Sequence, residues 1–181
     1  MIRVIAGEAR GRKLKGPKGL QFRPTTGRVK EFIFSYLDGL VSDANILDLF
    51  SGTGSLGIEA LSRGARHVTF IEQSKAHLRI LKENITLCQY ESRSRIVQGD
   101  VFSNIRYFGQ SEEQFDLILA DPPFKQNLRE KILQAVDQAR ILSSQGLLII
   151  EHEQHDTSGT SQRLRQIKER KFGHCLISIY R

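Results

Sequence analysis

Apolar residues in this chain recur in two rhythms that take turns along its length. Val29, Phe32, Ile33, Tyr36, Leu37 and Leu40 are spaced by three and four, which puts them on one face of a helix that Thr25 or Thr26 can cap. Short unbroken apolar runs then alternate with helical stretches. Residues 45–50 read as a strand and 55–63 as a helix stopped by Gly64. Residues 67–72 form a strand, and 74–88 a helix with Leu78, Leu81, Ile85 and Cys88 on one face. A strand at 95–98, a short helix at 101–107, a strand at 115–120, a helix at 127–142 and a strand at 147–152 continue the pattern. After a polar loop at 153–162, residues 163–181 read as two strands turning at Phe172-Gly173. This alternation predicts an α/β, doubly wound, Rossmann-like sheet, mostly parallel, with helices on both faces and an antiparallel hairpin at its C-terminal edge.

In such sheets ligands bind beyond the carboxyl ends of the strands. That rim receives the stretch from Asp48 through Ser51 to Gly54, then Glu72-Gln73, Asp100-Val101 and Asp121 to Phe124. Three of the strands end in an acid or lead straight into one. Each acid alone could cap a helix, Asp100 above all; together they read as a site. Gly52-Thr53-Gly54-Ser55-Leu56-Gly57 spells G-x-G-x-x-G between a strand and a helix, with Glu72 twenty residues after Gly52 and placed for ribose hydroxyls. Charge decides which cofactor suits it. A nicotinamide dinucleotide would put its pyrophosphate beside Asp48, whereas S-adenosylmethionine carries an ammonium and a sulfonium that Asp48 would attract. Glu72 can then accept from the ribose, and Asp100 with the Val101 N–H can meet the adenine edge.

Composition adds a second element. The 181 residues carry a net charge of +7, with nine Lys/Arg against one acid in residues 1–30 and 18 against 19 in the rest. The runs Arg3-Val4-Ile5-Ala6 and Arg12-Lys13-Leu14-Lys15, separated by Gly7 and Gly11, predict a basic β-hairpin that grips a polyanion. Arg10, Arg12, Lys13, Lys15, Arg23 and Arg28 are its candidate phosphate contacts. On this view removing residues 1–19 should weaken RNA binding and leave cofactor affinity unchanged. The expected organisation is one domain, with hairpin and linker at 1–24 and the catalytic core at 25–181. Neither an apolar run of membrane length nor a signal-peptide core is present, so a cytoplasmic protein is expected. Cys88 and Cys175 suggest neither a disulfide framework nor a metal knuckle, and His152-Glu153-Gln154-His155 lacks the spacing of a zinc motif.

The segments DLFSGTGSLGIEAL and DPPF resemble those of amino-directed, S-adenosylmethionine-dependent methyltransferases. RVIAGEARGRKL and RPTTGRVKEFIFSYL resemble those of one branch, the RsmD-like enzymes, from Arg3 to the terminal ISIYR. The resemblance implies a class I methyltransferase fold and methylation of a guanine exocyclic amine in small-subunit ribosomal RNA, within an assembling or assembled particle. It also places the RPTT segment near the active-site mouth. The DPPF residues fit that chemistry. Asp121 and the Pro122 carbonyl can accept the two N–H bonds of an amine, Pro123 stiffens the turn, and Phe124 offers a stacking surface for a displaced base. A monomer is expected. Three other functions stay open at this point: an adenine-amine methylase acting on DNA, a nicotinamide-dependent oxidoreductase, and a non-catalytic RNA-binding module.

Overall fold

The computed structural model describes residues 2–17, 25–123, 128–154 and 161–181. Seven strands form one sheet in the order β5-β4-β3-β6-β7-β9-β8, and a separate two-stranded ladder pairs β1 (Ile2–Arg3) with β2 (Lys13–Leu14). In the large sheet β3 (Asn45–Leu49), β4 (His67–Glu72), β5 (Ser94–Gln98), β6 (Phe115–Ala120) and β7 (Leu142–Glu153) run parallel. The last hairpin, β8 (Gln166–Phe172) and β9 (Cys175–Tyr180), adds two antiparallel strands at one edge. Helices cover both faces. The apolar faces of α1 (Gly27–Tyr36), α2 (Ser55–Ser62) and α3 (Lys75–Cys88) join one buried cluster, and those of α4 (Val101–Gln110) and α5 (Arg129–Ala139) join the other.

The architecture matches the pattern of apolar runs; several boundaries move. Helix α1 stops at Tyr36, so Tyr36 and Leu40, expected on its buried face, are exposed, while Leu37 caps its end in full burial. Helix α5 covers Arg129–Ala139 rather than 127–142, and Asn127 lies outside the described residues. Arg140 takes a left-handed conformation (φ 53°) that ends the helix, and Leu142 already belongs to β7, which crosses a bulge before pairing in register with β6. The first hairpin is shorter than its sequence suggests, with only Ile2–Leu14 and Arg3–Lys13 in register.

The strand order reverses between β3 and β6. Chain leaving β3 goes to β4 on one side, while β6 lies on the other, and the crevice at their carboxyl ends is where such sheets hold ligands.

Candidate active site

The loop after β3 is built around a buried acid. Asp48 sits within β3, 2% exposed, and its Oδ2 accepts from the Gly57 N–H at 3.0 Å. The approach works because position 57 is glycine: a Cβ there would lie 2.3 Å from the Phe70 ring and 2.9 Å from Asp48 Oδ2. Ser51 Oγ donates to the Asp48 carbonyl at 2.6 Å and closes the turn. Gly54, left-handed at φ 84°, starts α2 without a side-chain cap. Phe50 also holds a positive φ of 58°, a conformation costly for an aromatic residue and typical of backbone shaped for a ligand. Burial pushes the Asp48 carboxyl up to about 8, with the negative potential of Asp121 and Glu72 acting in the same direction against the Gly57 hydrogen bond.

Glu72 ends β4 and braces this loop. Its Oε2 accepts from the Gly52 N–H at 2.8 Å and its Oε1 from the Ser74 N–H at 2.7 Å. The acid expected to meet a ribose thus also holds the glycine turn in place, with lone pairs remaining on each oxygen. Gln73 follows it, exposed. Asp100 caps α4, taking the Ser103 N–H on Oδ1 at 2.8 Å, and that bond holds its carboxyl below the usual range. Val101, next in the chain, is buried in the cluster beneath α4.

Beyond β6, Asp121 is half-buried, Pro122 buried and Pro123 exposed, while Phe124 lies outside the described residues. Thr25 Oγ1 donates to Asp121 Oδ2 at 2.7 Å. Sequence reasoning saw Thr25 first as a cap; the cap of α1 is Thr26, and Thr25 instead orients the carboxylate. Two adjacent threonines before a helix, only one of which can be its cap, were the available signal. Asp48 near the end of β3, Glu72 at the end of β4 and Asp121 just after β6 lie at the carboxyl ends of three adjacent strands.

The N-terminal arm is built into the fold. Glu59 of α2, fully buried, accepts from the Ile5 N–H at 2.8 Å and the Ala6 N–H at 3.0 Å, and pairs with Lys30 at 3.2 Å and Arg63 at 2.9 Å. Burial lowers the Lys30 pKa against the pull of Glu59. Ser62 Oγ accepts from Ala9 N–H and donates to the Ala6 carbonyl. At the other strand, the buried Asn84 side chain accepts from Lys15 N–H at 2.8 Å and donates to the Lys15 carbonyl at 3.0 Å and the Thr53 carbonyl at 2.9 Å. That amide ties the arm directly to the glycine loop. Ile2, Val4, Ala9 and Leu14 belong to the main core cluster, so removing residues 1–19 would expose core and strand several buried polar groups.

The arm's cations divide accordingly. Arg12 donates to the Leu87 carbonyl and Lys15 pairs with Glu83 at 2.9 Å, both against α3. Arg10, Lys13 and Arg28 are exposed, and Arg23 lies outside the described residues. His152 is held between Ser178 Oγ (2.8 Å) and the Glu153 carbonyl (2.9 Å) inside the sheet's edge. Among the described residues no cluster of three potential metal ligands occurs.

The family described as Conserved hypothetical protein 95 matches residues 2–181. Ribosomal RNA small subunit methyltransferase D of Haemophilus influenzae is 34% identical over 99% of this chain and 93% of its own length. The protein of that name from Escherichia coli is 36% identical over 84% of this chain and 75% of its own. The solved structure of yhhF from Escherichia coli superposes with a TM-score of 0.88 at 33% identity, covering 99% of this chain and 96% of that one. A family match over residues 2–181, with relatives 34–36% identical over most of the chain, shows that the chain belongs to the Conserved hypothetical protein 95, or RsmD, family.

Proposed function

We propose that this protein is an S-adenosylmethionine-dependent methyltransferase that modifies the exocyclic N2 amine of a guanine in small-subunit ribosomal RNA. The observation that carries the reading is the pairing, across one crevice, of the glycine loop with Asp121, whose carboxylate Thr25 orients. The relatives named for this activity over most of the chain support it.

The residues present fit the methyl donor. Thr53 Oγ1 and Ser55 Oγ are buried and find no hydrogen-bond partner among the described residues. The acids Glu72 and Asp121 make the crevice a poor host for a pyrophosphate and a good one for a cation, whereas buried Asp48, expected to add its charge, holds a proton instead and serves the glycine turn as an acceptor. Glu72, Ser51, Gly52 and Gly54 would hold the ribose and amino acid ends, with Gln73, Asp100 and Val101 at the base. When bound, S-adenosylmethionine supplies an electrophilic methyl group. The protein's own part is to present the amine. Asp121 and the Pro122 carbonyl accept its two N–H bonds, aim its lone pair and stabilise the positive charge that develops there. Pro123 stiffens that turn, and Phe124 provides a stacking ring for the base. Arg10, Lys13 and Arg28, with Arg23 nearby in sequence, meet RNA phosphates, while Arg12 and Lys15 chiefly lock the arm to α3.

Among the described residues no helix is long and apolar enough to cross a membrane. A cytoplasmic monomer, one methyltransferase domain with an integral basic arm, acting on an assembling or assembled small subunit, completes the reading. The test is methyl transfer from labelled donor to undermethylated small subunits, with naked ribosomal RNA and DNA as controls and the product mapped by mass spectrometry. Label on a guanine N2 of the small-subunit RNA is the expected result. Label on adenine, or on DNA alone, would overturn it.

A further inference from the structure

The count of charges along the chain hides a second basic region. Residues 161–181 contain six Lys/Arg against one acid, Glu169, an excess cancelled in the total by acids elsewhere. The fold gathers part of that excess on one face. In the β8–β9 ladder Lys168 pairs with Ile179, Arg170 with Ile177 and Phe172 with Cys175, and these β9 partners all belong to the core cluster beneath α1, α2 and α3. Paired residues share a face, so Lys168, Arg170 and Phe172 lie on the α1 side of the sheet. Glu169 goes the other way, its carboxylate 2.8 Å from Ser178 Oγ and 3.9 Å from Arg129. The acid is thus removed from the stripe.

Arg170 lies over the Phe32 ring at 4.9 Å and the Phe172 ring at 5.4 Å, and the two rings are 5.3 Å apart. Phe32 is on α1, one turn after the exposed Arg28 and one turn before Tyr36, whose ring lies 6.4 Å from it. Residues four apart share a helix face. Arg28 is in turn three residues from Thr25, the partner of Asp121. Antiparallel pairing puts the Phe172 end of β8 beside Glu153, at the carboxyl-end rim where the acids sit. A run of cations interleaved with aromatic rings therefore leads from the mouth of the crevice along α1 to the edge strand.

We infer that this seam between α1 and β8, carried by Phe32, Arg170 and Lys168 and continuous with the arm's contacts at Arg28, is a second RNA-contacting surface. The inference rests on the methyltransferase reading for its choice of polyanion. Cations set beside stackable rings suit ribose-phosphate chain and unpaired bases. An edge strand studded with Lys and Arg discourages pairing with another protein strand. Lys168 is exposed.

The experiment compares wild type with Lys168→Gln, with Lys168→Gln/Arg170→Gln, and with Lys171→Gln as control, since Lys171 lies on the opposite face of the same strand. Undermethylated small subunits are the probe, with affinity measured from 0.05 to 0.3 M salt. Each lost phosphate contact should flatten the plot of log affinity against log salt by roughly 0.7–0.9, or about 5- to 8-fold in affinity at 0.1 M salt relative to 1 M. Lys168→Gln should therefore show one such step and the double variant two, with S-adenosylmethionine affinity unchanged in both and Lys171→Gln within 2-fold (roughly) of wild type on the same scale. Lys168→Gln also covers the case in which losing Arg170 disturbs the Phe32 packing. Wild-type slopes in both variants, or an equal loss in Lys171→Gln, would overturn the second surface. A wild type that transfers no methyl group would instead overturn the function on which it rests. A change in oligomeric state with RNA affinity intact would assign the edge to protein pairing and also contradict the inference.

Discussion

Glu59→Gln tests whether the basic arm is part of the fold. The side chain is nearly isosteric, so the substitution adds no cavity. It does replace four-way acceptance by a carboxylate with one carbonyl oxygen and an NH2 group that faces donors. The Ile5 and Ala6 N–H groups, Lys30 and Arg63 all currently point at Glu59, and Lys30 is 2% exposed. Removing one partner of a buried ion pair leaves an uncompensated charge, at about 3–5 kcal/mol. Lys30 Nζ keeps the Arg3 carbonyl at 2.6 Å, which places the expected loss near 3 kcal/mol, the lower end of about 3–5. For a chain of this size that is a fall in Tm of roughly 6–12 °C. Urea unfolding read by fluorescence and circular dichroism measures it. Adding Lys30→Met should recover part of the loss, because the stranded charge is then gone, and the double-mutant cycle reads the coupling directly. The same variant should make the first 15 residues more susceptible to limited proteolysis. A loss below about 1 kcal/mol, the worth of an exposed pair, would refute the reasoning and return the arm to a loosely attached leader.

The remaining predictions concern the crevice. Glu72→Ala should weaken S-adenosylmethionine binding by roughly 2 kcal/mol in calorimetry, with no binding of nicotinamide dinucleotides by either form; unchanged affinity would remove Glu72 from the cofactor site. Asp48 titrates near 8 when folded and near the ordinary carboxyl value when unfolded, so the folded state holds a proton that the unfolded state has released. Its contribution to stability is complete below the unfolded value, falls as pH climbs toward about 8 and is lost above it; Asp48→Asn should flatten that decline in thermal melts, and an unchanged pH profile would count against a buried neutral acid. Thr25→Ala should lower the methylation rate by about 10-fold with cofactor affinity intact, and Thr25→Ser should restore it, as expected for a hydroxyl whose hydrogen bond to a charged group is worth about 1.5 kcal/mol.

Periodicity alone was enough for the sheet, its helices and the rim, because strands buried on both faces and helices buried on one leave different apolar rhythms. Where elements met, it failed. Leu142 was assigned to a helix because it is apolar, but the left-handed Arg140 that ends α5 leaves no mark in the apolar pattern. Glu72 and Asp121 were legible as acids following apolar runs. The double duty of Glu72 was not, nor was the Thr25–Asp121 bond, which joins residues 96 apart in sequence. Glu59, Lys30 and Asn84 looked like ordinary polar helix residues, since only the tertiary fold shows that the arm's backbone N–H groups end on Glu59 and Asn84 and that Lys30 donates to the Arg3 carbonyl. The charge sum likewise placed the positive excess at the amino end, because a sum over residues has no knowledge of faces.

Single-turnover methylation by Asp121→Ala is the most direct test of the account. Undermethylated small subunits are mixed with saturating labelled S-adenosylmethionine and excess enzyme, and transfer to guanine N2 is followed in time. If Asp121 and the Pro122 carbonyl hold the amine where its charge develops, the rate should fall roughly 100- to 1,000-fold, while cofactor and subunit affinities stay close to wild type. Transfer at the wild-type rate would contradict the account and leave the acid-proline turn as a stiff corner of the chain.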